Sequence, residues 1–238
     1  MNGSTLKEDN NKKVGVVIYH RNILTKYDPE WTYNCLDKIE KQTFSDFSVV
    51  ELNFGGDSVR LYNGKGESYF YSEEINNLGS AISRAFDICF NDLDFDLIFN
   101  INLDDDYTLD RFEKQLDCIE RTNSDIVTSN FHFTDSNLSI ESTTDFCKGV
   151  QDVDVQNQII DFEFSRNHNI IGFPVCLFTK KFWKKWGGLP SEESSKGRED
   201  FDMWIRARKD GCKFYIIEEP LFKYRIHNSN ISKRVNNL

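Results

Sequence analysis

Three consecutive carboxylates, Asp104, Asp105 and Asp106, close the apolar run 97–103 (LIFNINL). The run reads as a buried strand, so the charges gather at its C-terminal end. Carboxylates this close repel one another, and a divalent cation carrying a phosphate would relieve them. The competing reading is a solvated acidic loop. A second acidic group, Glu199-Asp200-Phe201-Asp202, follows Arg198 and opens a helix. There it either complements the helix dipole or supplies a general base for an incoming hydroxyl. A lone histidine, His227, lies in the C-terminal segment Tyr224-Arg225-Ile226-His227-Asn228. It is either structural or, with aspartate, part of a ligand set suited to Mn²⁺, which accepts oxygen and imidazole donors.

The elements that must position these residues follow from periodicity. The run 14–18 is short and apolar, as a buried parallel strand is, and 47–52 reads as a second strand. The first ends in Tyr19-His20-Arg21-Asn22 and the second in Asn53-Phe54-Gly55-Gly56-Asp57. Helices are predicted over 30–42, from Asn77 through Cys89, and over 108–121 with a stripe of Leu109, Phe112, Leu116 and Ile119. Segment 58–76 is read as loop with room for a short strand. A strand at 126–128, a short helix at 180–186 stopped by Gly187-Gly188, a helix at 201–209 and strands at 214–217 and 221–226 complete the pattern. The polar stretch 134–165 is predicted to be a variable loop. Strands alternating with helices predict an α/β fold with a mostly parallel central sheet flanked by helices, and ligands in such sheets bind at the strands' carboxyl ends.

The chain has 238 residues, 39% hydrophobic and 29% charged, with a formal net charge of -10. This balance suits one globular domain and disfavours nucleic-acid binding. We read 1–12 as a disordered lead-in, 13–232 as a single domain, and 233–238 as a tail. Within the domain, 13–115 is the expected nucleotide-binding half and 116–232 the acceptor-binding half. Six widely spaced cysteines form no CxxC pair, which points to free thiols in a reducing compartment rather than a zinc site. With no apolar leader and no stretch near the ~20 residues of a membrane span, a cytoplasmic location is expected. Homo-oligomerisation is left open.

The ordered set of strand-end aspartates, Gly172 in an apolar segment, Gly187-Gly188-Leu189, Glu199-Asp200 and Tyr224-Arg225-Ile226-His227 resembles the family 2 glycosyltransferases. The likeness covers 14–22, 41–52, 77–84, 102–115, 171–189, 198–206 and 219–232. It implies the GT-A (Rossmann-like) fold and transfer of a sugar from a nucleotide-diphospho-sugar, a UDP-sugar above all, to a hydroxyl acceptor in glycan or polysaccharide synthesis. It further implies inversion in one displacement and a Mn²⁺ or Mg²⁺ cofactor. By this resemblance Asp104, Asp106 and His227 hold the metal, and Asp104 or Asp105 touches the ribose or the metal's water shell. Arg84 lies near the diphosphate, and Gly172 lets the backbone approach the donor sugar. Tyr19, His20 and Arg21 stand at the nucleotide, and Asp200, with Glu199 beside it, is the base.

The chain departs from the family where an Asp-Asp-Gly-Ser run usually reads the base: it has Asn53-Phe54-Gly55-Gly56. Asn53 can both donate and accept there. The departure motivates an alternative, a catalytically weak or inactive nucleotide-sugar-binding protein of the same fold. Loop 134–165 or loop 190–198 is the expected lid, and Trp186 is an expected sugar platform.

Overall fold

The computed structural model describes residues 12–189, 198–228 and 230. The expected lead-in before Lys12, the tail at 233–238 and nearly all of the 190–198 lid lie outside the described residues.

Among the described residues nine strands join in one sheet. They are β1 (Val14–His20), β2 (Ser48–Asn53), β3 (Ser68–Ser72), β4 (Leu97–Ile101), β5 (Asp106–Tyr107), β6 (Ile126–Thr134), β7 (Ile140–Thr143), β8 (Leu177–Thr179) and β9 (Phe214–Arg225). Their order is β3-β2-β1-β4-β8-β6-β9-β5, with β7 paired to β6. The block from β3 to β4 is parallel throughout. Beyond it β8 runs antiparallel between β4 and β6, β6 and β9 are parallel, and β5 is antiparallel on β9. Since β8 opposes both neighbours, β4 and β6 point the same way, and β1, β2, β4 and β6 all end at one edge of the sheet. The two closing strands expected at 214–217 and 221–226 are one continuous strand. It crosses Pro220 by a shift of register against Ser129–Phe131.

The helices are α1 (Ile23–Lys26), α2 (Pro29–Glu40), α3 (Leu78–Asp87), α4 (Arg111–Thr122), α5 (Val153–Ser165), α6 (Lys180–Trp186) and α7 (Glu199–Lys209). Local chemistry starts several of them. Asp28 precedes Pro29 and accepts from Glu30 N, Asn77 accepts from Ser80 N, and Thr179 accepts from Phe182 N. Two apolar layers cover the sheet. One contains Phe112 and Ile119 of α4 with Cys35, Leu36 and Ile39 of α2. The other contains Ala81, Ala85 and Phe86 of α3, Ile160 of α5, and Trp183, Trp186 and Trp204. All six cysteines are buried and unpaired.

Three expectations change. Helix α4 starts at Arg111 because β5 bridges to β9 first, so Leu109 is exposed and the buried face is Arg111, Phe112, Gln115, Cys118 and Ile119. The stretch 134–165 is not a loop: it contains β7 and α5, and α5 is anchored to β9. Gln156 donates to Ile216 O and accepts from Ile216 N; Asn157 does the same with Phe214. These amides stand in for a neighbouring strand on the outer edge of β9 and satisfy backbone groups that would otherwise template further pairing. A helix so anchored is unsuited to act as a lid. Trp186 is buried in the core, its indole N–H on Asp210, so it is no sugar platform.

Candidate active site

The aspartate turn is built from β4 outward. Asn102 N donates to Tyr107 Oη at 2.9 Å, and Tyr19 Oη donates to Asn102 Oδ1 at 3.0 Å. Tyr19 thus braces the turn from β1, and burial raises its phenol pKa. Beneath lies the buried Arg111 guanidinium, on Asn100 O and Gln115 Oε1 and 4.6 Å from the Tyr107 ring. Burial lowers its pKa to about 10.

The three carboxylates diverge. Asp104 Oδ2 lies 3.1 Å from His227 Nε2. Asp105 is buried, with Oδ1 accepting from Arg225 N at 2.9 Å and Oδ2 buried without a hydrogen-bond partner. Burial first, and the charge of Asp104 second, push its carboxyl well above the usual range. Asp106 turns the other way, 2.6 Å from Lys38 Nζ and 3.9 Å from Lys223 Nζ. Asp106 opens β5, opposite Lys223 of β9, whereas Asp104 lies in the turn before that strand. Of the three residues expected at a metal, the structure brings together Asp104 and His227. Among the described residues no group of three His, Cys, Asp or Glu side chains is placed to hold an ion. Asp104 and His227 offer one oxygen and one nitrogen donor of the kinds that suit Mn²⁺.

The His227 ring is flanked by Tyr27 and Trp31, each 5.1 Å between centroids. A cleft of about 510 Å³ opens beside it, lined by Tyr27, Trp31, Ser136, Ile226, His227 and Asn228 among others.

The nucleotide-side residues have other partners in the fold. His20 is buried, with Nε2 2.9 Å from Glu51 Oε1, and the same carboxylate accepts from Leu61 N and Tyr62 N. The side chain of His20 therefore joins β1 to β2 rather than facing a ligand. Arg21 donates to Ile75 O at 3.3 Å and packs over Phe54. Asn53 is also internal: its carbonyl accepts from Gly55 N, and its amide donates to Val59 O and Asp57. That leaves Asp57 as the carboxylate at the end of β2, held below its usual pKa range by Val59 N and the Asn53 amide. Arg84 is paired with Glu73 and Asp92.

The path from the aspartates to the second acidic group follows the sheet edge. Asn100 Nδ2 donates to Phe173 O, next to Gly172, whose own carbonyl accepts from Thr128 and Cys176. A Cβ on Gly172 would come within 3.3 Å of Val175 and 3.4 Å of Phe131, a tight fit that those side chains would have to relieve. Asn169, three residues before it, donates to Asp200 Oδ2 at 3.3 Å. Asp200 is half-buried in the first turn of α7 with Oδ1 on Phe201 N. Burial and the neighbouring Glu199 charge raise its pKa to about 6. A carboxyl with that pKa is ionised at neutral pH and still basic enough to take a proton.

Two residues in contact with His227 or the aspartate turn carried no role in the sequence reading: Trp31 and Arg225. Arg225 stood inside the quoted C-terminal motif. Trp31 read as one apolar position of a helix.

No family model matches the chain. Among curated proteins, it is 24% identical over 209 residues to the O-antigen biosynthesis glycosyltransferase WbnJ of Escherichia coli, covering 83% of this chain and 75% of that protein. It is 25% identical over 222 residues to the UDP-Gal:alpha-D-GlcNAc-diphosphoundecaprenol beta-1,3-galactosyltransferase of E. coli, covering 89% and 74%. The solved S. aureus TarS 1-349 in complex with UDP-GlcNAc superposes with a TM-score of 0.63 at 13% identity. That match covers 91% of this chain and 59% of TarS 1-349, so the chain spans less than two thirds of the solved protein. Among the described residues no helix is long and apolar enough to cross a membrane. The GT-A-like fold expected from the sequence is the fold observed, and by fold and relatives together the chain is a glycosyltransferase.

Proposed function

We propose that the chain is an inverting, family 2-type transferase that moves a sugar from a UDP-sugar to a saccharide hydroxyl in O-antigen or related polysaccharide synthesis. One observation carries this reading: a facing Asp104–His227 pair and a separate Asp200 of raised pKa share one edge of the sheet, joined through Asn100, Phe173, Gly172 and Asn169. The donor assignment draws support from the UDP-Gal in the name of one relative and the UDP-GlcNAc bound to TarS. That relative's saccharide-diphosphoundecaprenol acceptor makes a lipid-linked saccharide the first acceptor to try.

Asp104 and His227 would hold Mn²⁺ or Mg²⁺. When bound, the cation supplies positive charge against the departing diphosphate. Tyr19 and Arg225 keep the aspartate turn in shape. Asp200 takes the proton of the acceptor hydroxyl, which attacks the anomeric carbon on the face opposite the diphosphate, so the configuration inverts.

The test is a thermal-shift screen of nucleotide sugars with and without Mn²⁺, followed by product analysis with a saccharide acceptor. A shift with a UDP-sugar that grows with Mn²⁺, and a product of inverted anomeric configuration, are expected. A product that retains the donor configuration would overturn the mechanism, and a shift confined to another nucleotide would overturn the donor.

A further inference from the structure

We propose that Trp31 and Arg225 form a clamp that sets the spacing of Asp104 and His227, and that cation uptake depends on it. The inference rests on the reading above, that this pair holds a divalent ion.

Trp31 lies in the first turn of α2, half-buried and outside both apolar layers. Its ring packs on two groups instead. One is the imidazole of His227, at 5.1 Å between centroids; the other is the guanidinium of Arg225, 4.6 Å above the ring. Arg225 is buried and ties three segments together. Its Nε donates to Asp104 O at 2.8 Å, its backbone N to Asp105 Oδ1 at 2.9 Å, and its Nη1 to Ser136 O at 2.5 Å. The side-chain contacts go to carbonyls and an aromatic face, so the positive charge holds the turn without occupying the carboxylate oxygen that faces His227. A flat guanidinium can stack and donate in its plane at once; an ammonium cannot.

The pair needs such a device. Asp104 and His227 come from segments 123 residues apart, and neither belongs to a regular element. Metal ligands must hold their distances to within about 0.2 Å. Groups that orient ligands typically change metal affinity about 10–100-fold when removed. Trp31 and Arg225 are therefore positioning residues. The plainer reading is that they merely fasten the end of β9.

Calorimetric titration of Mn²⁺ in the presence of UDP separates the two, run on wild type, Trp31→Leu, Arg225→Met and Arg225→Lys. Each protein is also melted in EDTA and titrated with UDP in EDTA. We expect Mn²⁺ affinity about 10–100-fold weaker in Trp31→Leu and Arg225→Met, with partial recovery in Arg225→Lys. UDP affinity in EDTA should be unchanged. Folded variants that bind Mn²⁺ as wild type does would overturn the clamp alone. A wild type that takes up no Mn²⁺ would overturn the metal reading, and the clamp with it. If Arg225→Met does not melt cooperatively, Trp31→Leu and the milder Trp31→Phe carry the comparison.

Discussion

His227 Nε2 stands 3.1 Å from Asp104 Oδ2, while Asp106, two residues along, faces Lys38 at 2.6 Å. Neighbouring carboxylates of one turn thus have different partners. The first faces the histidine that lines the cleft, and the last is neutralised by the protein.

His227→Ala and Asp104→Asn should each weaken Mn²⁺ binding in the presence of UDP by more than about tenfold, as loss of a direct ligand exceeds loss of an orienting group. Calorimetry reads this directly. Full affinity in both variants would remove the pair from the metal site.

Asp200→Asn should lower kcat/KM about 10²–10⁴-fold while UDP affinity stays the same. In wild type the base must be ionised, so activity should fall as the pH drops through about 6. A flat profile from pH 5 to 8 would count against Asp200 as base.

The same residue makes a stability prediction of opposite sense. Its folded pKa, about 6, lies above the ~3.9 of an unfolded aspartate. The fold therefore favours the protonated carboxyl, and stability falls as pH rises from ~4 to ~6. Asp200→Asn should melt above wild type at pH 7.5, by about 2–4 °C for a gain of ~1 kcal/mol, and the gain should vanish near pH 4. Melting curves at the two pH values check it.

Asp106→Asn should act on stability. Losing the charge opposite Lys38 and Lys223 should cost about 1–3 kcal/mol in urea unfolding, with Mn²⁺ affinity kept. Loss of Mn²⁺ binding without loss of stability would restore Asp106 as a ligand.

Gln156→Ala and Asn157→Ala should each cost about 1–3 kcal/mol, because each uncovers a buried N–H and C=O of β9. The double variant should scatter light on heating below the wild-type midpoint, as an open strand edge does.

The parallel half of the fold was legible because β1, β2 and β4 are short, largely apolar segments and Asn77 caps its helix. So was the sheet edge, since the aspartates end a strand; the nearness of His227 to Asp104 was implied by the family resemblance and not by spacing. What escaped depends on contacts rather than patterns. Helix α5 has little polarity contrast between its faces, and its anchors are Gln156 and Asn157, polar residues that read as loop until their backbone partners are seen. His20 read as a ligand residue because Glu51, which pairs with it, sits on another strand. Asp106 looked equivalent to Asp104 because spacing alone does not show that Lys38 and Lys223 flank it. Trp31 looked like core because an apolar ring on a helix usually is.

The parallel pairing of β6 with β9 gives the enzyme a schedule of assembly. His227 follows the last strand, so it leaves the ribosome 123 residues after Asp104, a delay of roughly 6–25 s at about 5–20 residues/s. Through that interval the aspartates have no imidazole opposite them. Under the proposed mechanism, a nascent chain cannot consume donor, and a chain whose last strand fails to dock stays silent rather than wasteful.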